Sequence, residues 1–295
     1  MTFLGALLAV VATDTLAALL AGGRRPQRAL AAAVAIGAGL WATRIPAEAT
    51  VPRFLVVLFS IVPVFRTIDL LRDETGFGPG RRWLHVFSLV DSRVIRRGPP
   101  GLRAGGVVHV ALGVAVGTLA YAAVRAASDL EGWRMWALRW LAALVFAVAS
   151  SEAVYNGIEE ACRAIGLHVP ALHRHPARSR TVAEFWGVRW NRTVGAWLRA
   201  TAYLPLARRG APRLGVAAAF ALSAVTHAWM IWLVIPGWLA ASVTAYFVVQ
   251  GLLVVAEARL GVRAWRRPLS HAWTVTAMTV TSPLFTEPMV RVLFP

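Results

Sequence analysis

Apolar windows follow one another along almost the whole chain, at residues 2–22, 28–43, 52–71, 104–126, 134–157, 213–235, 237–256 and 270–293. A helix of about 20 apolar residues crosses the hydrocarbon of a bilayer. Within lipid, backbone polar groups must pair inside a helix or a closed barrel. The windows therefore predict an all-α fold: a polytopic transmembrane helical bundle of about eight spanning helices, with interfacial amphipathic helices between them. At 58% hydrophobic over 295 residues the chain is too apolar for a water-soluble domain. No polar stretch has the size of an independent domain, so a single membrane-embedded domain over 1–295 is expected, with a motif-bearing core at 170–235. The first window has no basic leader and carries Asp14 in its middle, features of a first spanning helix and not of a cleaved signal peptide.

The net charge of +17 comes entirely from arginine, since the chain has no lysine. These arginines are spread through short connections, which fits membrane topology and gives no soluble basic module for nucleic acid. Connections around Arg24–Arg28, Arg72–Arg103, Gly157–Arg213 and Arg259–Arg267 are basic, and those between them are balanced or uncharged. By the positive-inside rule the basic ones face the cytoplasm and both termini lie outside; the expected location is the cytoplasmic (inner) membrane. Cys162 is the only cysteine, so no internal disulfide forms. In the cytoplasmic segments a short interfacial helix is expected around Trp83–Val90. A longer one follows Pro176, in "SRTVAEFWGVRWNRTVGAWLRATAYL".

Read as one helix, this second stretch puts Trp186, Trp190, Val194 and Trp197 on one face and Arg189, Arg192 and Arg199 on another. Tryptophan at the headgroup level and arginine toward phosphate describe a membrane-surface helix without chemistry. That reading leaves Asn191 unexplained, in a groove between Gly187 and Gly195 where a ligand or another backbone could come close. The next span, "RLGVAAAFALSAVTHAWMIWLVI", holds one histidine. His227 lies fourteen residues past Arg213, about 21 Å along a helix and well inside the hydrocarbon. An ionisable group at that depth is a functional candidate. The structural alternative is an interhelical hydrogen bond. Ser223, one turn earlier on the same face, is positioned to hold a ring nitrogen and fix the tautomer.

Together, "EFWGVRWN" at Glu184–Asn191 and "SAVTH" at Ser223–His227 resemble the membrane-bound O-acyltransferases, in particular their wax synthase branch. "PVFRTIDLL" at Pro63–Leu71 is a weaker echo of an early family element. The resemblance implies a catalytic pair, His227 and Asn191, with Phe185, Trp186, Gly187, Arg189, Trp190 and Ser223 as supporting positions. It implies acyl-CoA as co-substrate and a lipophilic alcohol as acceptor, with no resident cofactor. Plant wax synthases tend to have arginine where Val188 stands, glycine where Ala224 stands and glutamate where Ala228 stands; these departures bear on the acceptor.

Acyl transfer needs a base for the hydroxyl, a donor for the oxyanion and exclusion of water. A neutral imidazole suits the first task, and an amide NH₂ suits the second. Arg189 and Arg192, with Arg178 and Arg180 behind them, are the candidates for the donor's phosphates; headgroup contact is their ordinary alternative. His168, His173 and His175 lack acidic or cysteine companions for a metal set, so no metal is expected. Asp14, Glu152 and Glu287 are expected to find interhelical partners or the interface, and His109 and His271 to be interfacial. A transporter or a non-catalytic membrane scaffold remains the competing class.

Overall fold

In the computed structural model, which describes residues 1–73 and 76–294, helix dominates. The helices in chain order are α1 (Phe3–Leu20), α2 (Arg25–Ala38), α3 (Thr50–Arg72), α4 (Pro79–Val86), α5 (Ala104–Ala126), α6 (Gly132–Ala164), α7 (Val182–Glu184), α8 (Arg192–Leu198), α9 (Leu204–Ala207), α10 (Pro212–Trp232), α11 (Gly237–Leu260), α12 (Arg267–Thr281) and α13 (Pro283–Leu293). Among the described residues, six are long and apolar enough to cross a membrane: α1, α3, α5, α6, α10 and α11. The count is thus six where the windows predicted about eight. The window at 28–43 is the shorter α2, which tightens into a 3₁₀ segment at Gly39–Arg44. The window at 270–293 is split at Ser282, because the following Pro283 has no N–H to continue the ladder. Large apolar side chains point away from the protein, with Leu119 72%, Val280 71% and Val225 66% exposed. Hydrocarbon, not water, is the solvent for such a surface. The chain is an integral, multi-pass membrane protein.

The fold comprises two compact units. The first contains Met1–Val94 and Ala228–Ala240. Small side chains let its helices approach: Ala18, Ala21 and Ala31 pack with Leu70 and Val86, and Ala17 and Ala35 pack with Val64. Arg66, inside the "PVFRTIDLL" stretch, is only 4% exposed. It donates to Asp69 at 2.9 Å and to the carbonyls of Ser88 and Leu89 at 3.1 and 2.9 Å. The interfacial helix starts at Pro79, whose fixed φ suits a first turn, and ends at Val86 instead of running over Trp83–Val90. Asp14 departs from expectation: it is fully buried, and neither carboxylate oxygen has a partner among the described residues.

The second unit contains Ile95–His227 and Ala241–Phe294. Its frame is the α5–α6 pair, in which Gly113 and Gly117 face Ala149 and Ala153. A Cβ at Gly113 would stand 2.9 Å from the Ala149 carbonyl oxygen. This is close helix packing of the small-residue kind found in membranes. Two short strands, β1 (Arg96–Arg97) and β2 (Leu167–His168), pair antiparallel with Arg96 opposite His168. Arg103, before α5, donates to Glu160 at 2.8 Å and to Glu159 at 3.2 Å. At the other end of α6, Val290 of α13 packs with Val124, Ala142 and Ala143. Glu287 there accepts from Trp140 and Arg291 at 3.1 and 2.8 Å. Glu152 accepts from Asn156 and meets His173. Glu287 has the interhelical partner expected of it, whereas the partners of Glu152 come from its own helix and from the loop at His173.

Candidate active site

The motif segment is not one continuous helix. Thr181 opens α7 by accepting the Glu184 N–H at 2.9 Å. The carboxylate of Glu257, on α11, accepts the N–H groups of Val182 and Ala183 at 2.7 Å each and the Trp273 indole N–H at 3.3 Å. A buried acid thus satisfies the orphan donors of a helix start. Phe185–Arg189 then form a π-helical turn, closed by Trp190 N–H donating to the Phe185 carbonyl at 2.8 Å. The chain is extended at Trp190 and left-handed at Asn191, with φ +34°. Asparagine tolerates that conformation better than most residues. It also restarts the helix, since Asn191 Oδ1 accepts the Val194 N–H at 3.3 Å as the N-cap of α8. A second π turn, Arg199–Tyr203, leads into α9. Residues that a single helix would have spread over three faces are gathered instead around a kink.

The arginines of the segment fasten it. Arg189 donates to Glu184 at 2.6 Å and to the Arg174 carbonyl at 2.9 Å, and Arg192 donates to the Ala171 carbonyl at 2.6 Å. Backbone bonds join Arg174 to Arg189 and Arg192 to Leu172, whose own N–H donates to Glu159 of α6 at 2.5 Å. Arg180 donates to the Trp265 carbonyl and the Ser270 hydroxyl. Burial pushes the Glu184 carboxyl up, but the Arg180 N–H and the Arg189 guanidinium outweigh it and hold the group below the usual range. Of the histidines, His173 lies 3.1 Å from Glu152 and packs against the rings of Tyr155 and Trp190. His168 contacts the Pro99 carbonyl, His175 faces the ring of His109, and His271 donates to the Ser179 carbonyl. Among the described residues no three His, Cys, Asp or Glu side chains converge as a metal set.

Within this unit lies a cavity of about 360 Å³, in the size range of small-molecule sites. The motif contributes Phe185, Trp186, Gly187, Trp190 and Asn191 to its wall, and α10 contributes Val216, Ala219, Phe220, Ser223 and His227. The α10 residues recur at helical spacing on one face. Opposite them stand Tyr246 and Phe247 of α11 and Phe285 of α13. His227 and Asn191, far apart in sequence, therefore open onto one chamber. The imidazole lies 4.3 Å from the Phe247 ring, centre to centre. Its Nδ1 donates to the Ser223 backbone carbonyl at 2.8 Å, whereas the Ser223 hydroxyl is 3.5 Å away. The ring nitrogen expected on the Ser223 side chain is held instead by the Ser223 backbone carbonyl, the nearer of the two oxygens. A carbonyl can only accept, so Nδ1 carries the proton and Nε2 keeps a lone pair. A Cβ at Gly187 would meet nothing within 4 Å, and one at Gly195 would lie 3.4 Å from the Trp186 carbonyl oxygen.

Two supporting residues escaped the sequence reading. Gln250, fully buried on α11, accepts the Trp186 indole N–H at 3.1 Å and donates to Thr281 at 2.7 Å. Glu257 lies seven residues further along the same helix face. Their signal was present: both are polar groups at or near an otherwise apolar span, where such groups are costly.

Residues 169–250 match a family described as "Membrane bound O-acyl transferase family". The chain is also similar to curated proteins of Arabidopsis thaliana. "Probable long-chain-alcohol O-fatty-acyltransferase 3" is 34% identical over 43% of this chain and 42% of its own length. "Probable long-chain-alcohol O-fatty-acyltransferase 1" is 30% identical over 37% and 34%, respectively. "Probable long-chain-alcohol O-fatty-acyltransferase 7" is 31% identical over 41% and 40%. The chain therefore spans less than half the length of the curated relatives it matches.

Proposed function

We propose, on the premise that this chain belongs to the membrane-bound O-acyltransferases, that it moves a fatty acyl group from acyl-CoA to the hydroxyl of a lipophilic alcohol, as a wax-ester synthase does. The family resemblance read from the sequence is borne out by the match over residues 169–250. The relatives' names support an alcohol as acceptor. The observation that carries the reading is the His227 ring: its Nδ1 proton is committed to the Ser223 carbonyl, in an aromatic chamber that Asn191 also lines.

In this reading Nε2 of His227 takes the alcohol proton as the hydroxyl oxygen attacks the thioester carbonyl. A carbon–oxygen bond forms, and the carbonyl oxygen becomes an oxyanion. On collapse the carbon–sulfur bond breaks, and the imidazolium returns the proton to the departing thiolate. A positioned base of this kind supplies about 10²–10⁴-fold, and an oxyanion donor about 10²–10³-fold. The Asn191 amide NH₂ is the candidate donor, or else positions the substrate. Apolar walls suit a reaction that water would divert into thioester hydrolysis. The donor enters from the cytoplasmic side and the alcohol laterally from the bilayer.

The test is ester synthesis by membranes containing the protein, supplied with labelled palmitoyl-CoA and hexadecanol. His227→Ala and Asn191→Ala should abolish most of the product while protein abundance holds. Full activity in both variants overturns the site assignment. No ester with any alcohol overturns the enzyme reading in favour of a transporter or a scaffold.

A further inference from the structure

Where α11 gives way to α12, the chain carries Arg259, Arg263, Arg266 and Arg267 within nine residues. All four side chains are exposed, and among the described residues none of them has an ion pair or a side-chain hydrogen bond. The arginines of the motif region are different: Arg180, Arg189 and Arg192 are each bonded to a carbonyl or an acid. Four like charges held this close repel one another, so the cluster favours an anion from outside the chain.

Beside it a surface groove of about 530 Å³ is lined by Trp265, Arg266, Leu269, Ala272, Trp273 and Thr276. Residues 269, 272, 273 and 276 share one face of α12 by their spacing. The groove therefore follows the helix axis, and Leu269 to Thr276 spans about 10 Å. Trp265 and Trp273 form its walls, with ring centroids 6.0 Å apart and planes at 79°. Both are fastened from behind: the Trp273 N–H donates to Glu257 at 3.3 Å, and the Trp265 carbonyl accepts from Arg180 at 3.2 Å. The walls are thus preformed, which lowers the cost of ordering a ligand. Leu269 is 59% and Val280 71% exposed, so the helix presents an apolar surface on either side of the groove.

Tryptophan beside arginine marks the boundary between hydrocarbon and water. A slot that opens at a guanidinium and continues along an apolar helix fits an amphiphile with an anionic head. Free phosphate would leave the slot empty, and a zwitterionic lipid would bring no net charge to the arginines. We propose that this groove binds one anionic phospholipid of the surrounding bilayer, with its phosphate on Arg266 and the neighbouring Arg263 and Arg267, and one acyl chain between Trp265 and Trp273 over Ala272. The site is separate from the chamber of His227 and stands whether or not acyl transfer occurs there.

The test is native mass spectrometry of the full-length protein released from nanodiscs of equimolar phosphatidylglycerol and phosphatidylcholine. The wild type should retain one phosphatidylglycerol in preference to phosphatidylcholine. Arg263→Gln/Arg266→Gln should reduce that preference about tenfold or more, since each arginine near an anionic lipid contributes about a fivefold factor. Arg208→Gln/Arg209→Gln removes the same charge from two exposed arginines that do not line the groove, and should leave the preference within about twofold. Ala272→Phe fills the slot and keeps every charge, so it too should release the lipid. All these positions are exposed, where substitution changes stability little. Equal retention of the two lipids by the wild type overturns the proposal. An equal loss in both double variants does so as well, because the attraction is then that of a basic surface and not of a site. Retention unchanged by Ala272→Phe shows that no chain occupies the groove.

Discussion

The Nδ1 atom of His227 donates to the backbone carbonyl of Ser223 at 2.8 Å, one helical turn earlier in α10. The tautomer is thereby set by the main chain, not by a side chain that substitution could remove. Ser223→Ala should lower the rate of ester formation by no more than about threefold, whereas His227→Gln should lower it about 10²-fold or more. Initial rates at matched protein abundance measure both, and a collapse in the alanine variant would show that the hydroxyl is required.

Asn191 has two separable duties, since its Oδ1 caps α8 and its NH₂ is the proposed donor. Asn191→Asp keeps an acceptor for the Val194 N–H and tolerates the left-handed backbone. Loss of activity without loss of thermal stability is expected. Asn191→Ala should lose activity and also about 1 kcal/mol of stability from the missing cap. Thermal midpoints in detergent, read beside the rates, distinguish the two variants.

Acid should weaken the first unit through His85. The ring is fully buried, with Nδ1 2.8 Å from the Ser92 hydroxyl. Burial pushes its pKa down to about 4, with Asp91 opposing and Arg66 and Arg93 assisting. Because the folded value lies below the unfolded one, the neutral ring's contribution is complete above about pH 6.5 and is lost as pH falls toward about 4. The thermal midpoint of the wild type should drop across that window, and His85→Phe should flatten the slope. An unchanged slope in the variant would assign the acid sensitivity to other groups.

Gly113 allows α5 to lie against α6, where a Cβ would come within 2.9 Å of the Ala149 carbonyl oxygen and of Ala153. Backbone cannot swing aside as a flexible side chain can. Gly113→Val should therefore cost about 1–3 kcal/mol, seen as a lowered midpoint and reduced yield of folded protein. Gly105→Val, at a position where a Cβ would meet nothing within 4 Å, serves as the matched control.

Class and site were legible in the sequence for different reasons. Windows of about 20 continuous apolar residues had to become membrane-crossing helices, because the alternative that satisfies the backbone in lipid, a closed barrel, is built from shorter strands of alternating polarity. The windows at 28–43 and 270–293 hold interrupted helices, because hydropathy averages over a change of helix type in the first and a proline in the second. His227 stood out as an ionisable group deep in a span, and Asn191 as a residue that a surface helix did not explain. The kink at Trp190–Asn191 was not visible, since helical periodicity persists through it. The ties of Arg189 and Arg192 were hidden too, because their partners are carbonyls and an acid supplied by neighbouring turns. Gln250 and Glu257 were readable in principle as polar intrusions on α11 but carried no motif.

Glu159 and Glu257, on α6 and α11, hold the two ends of the segment from Leu172 to Ala183 through main-chain N–H groups. The motif is consequently not a portable cassette. A graft of residues 170–191 into another membrane scaffold would take the tryptophans and the asparagine but leave their moorings behind, so exchanges between homologues ought to move α6 and α11 with the graft.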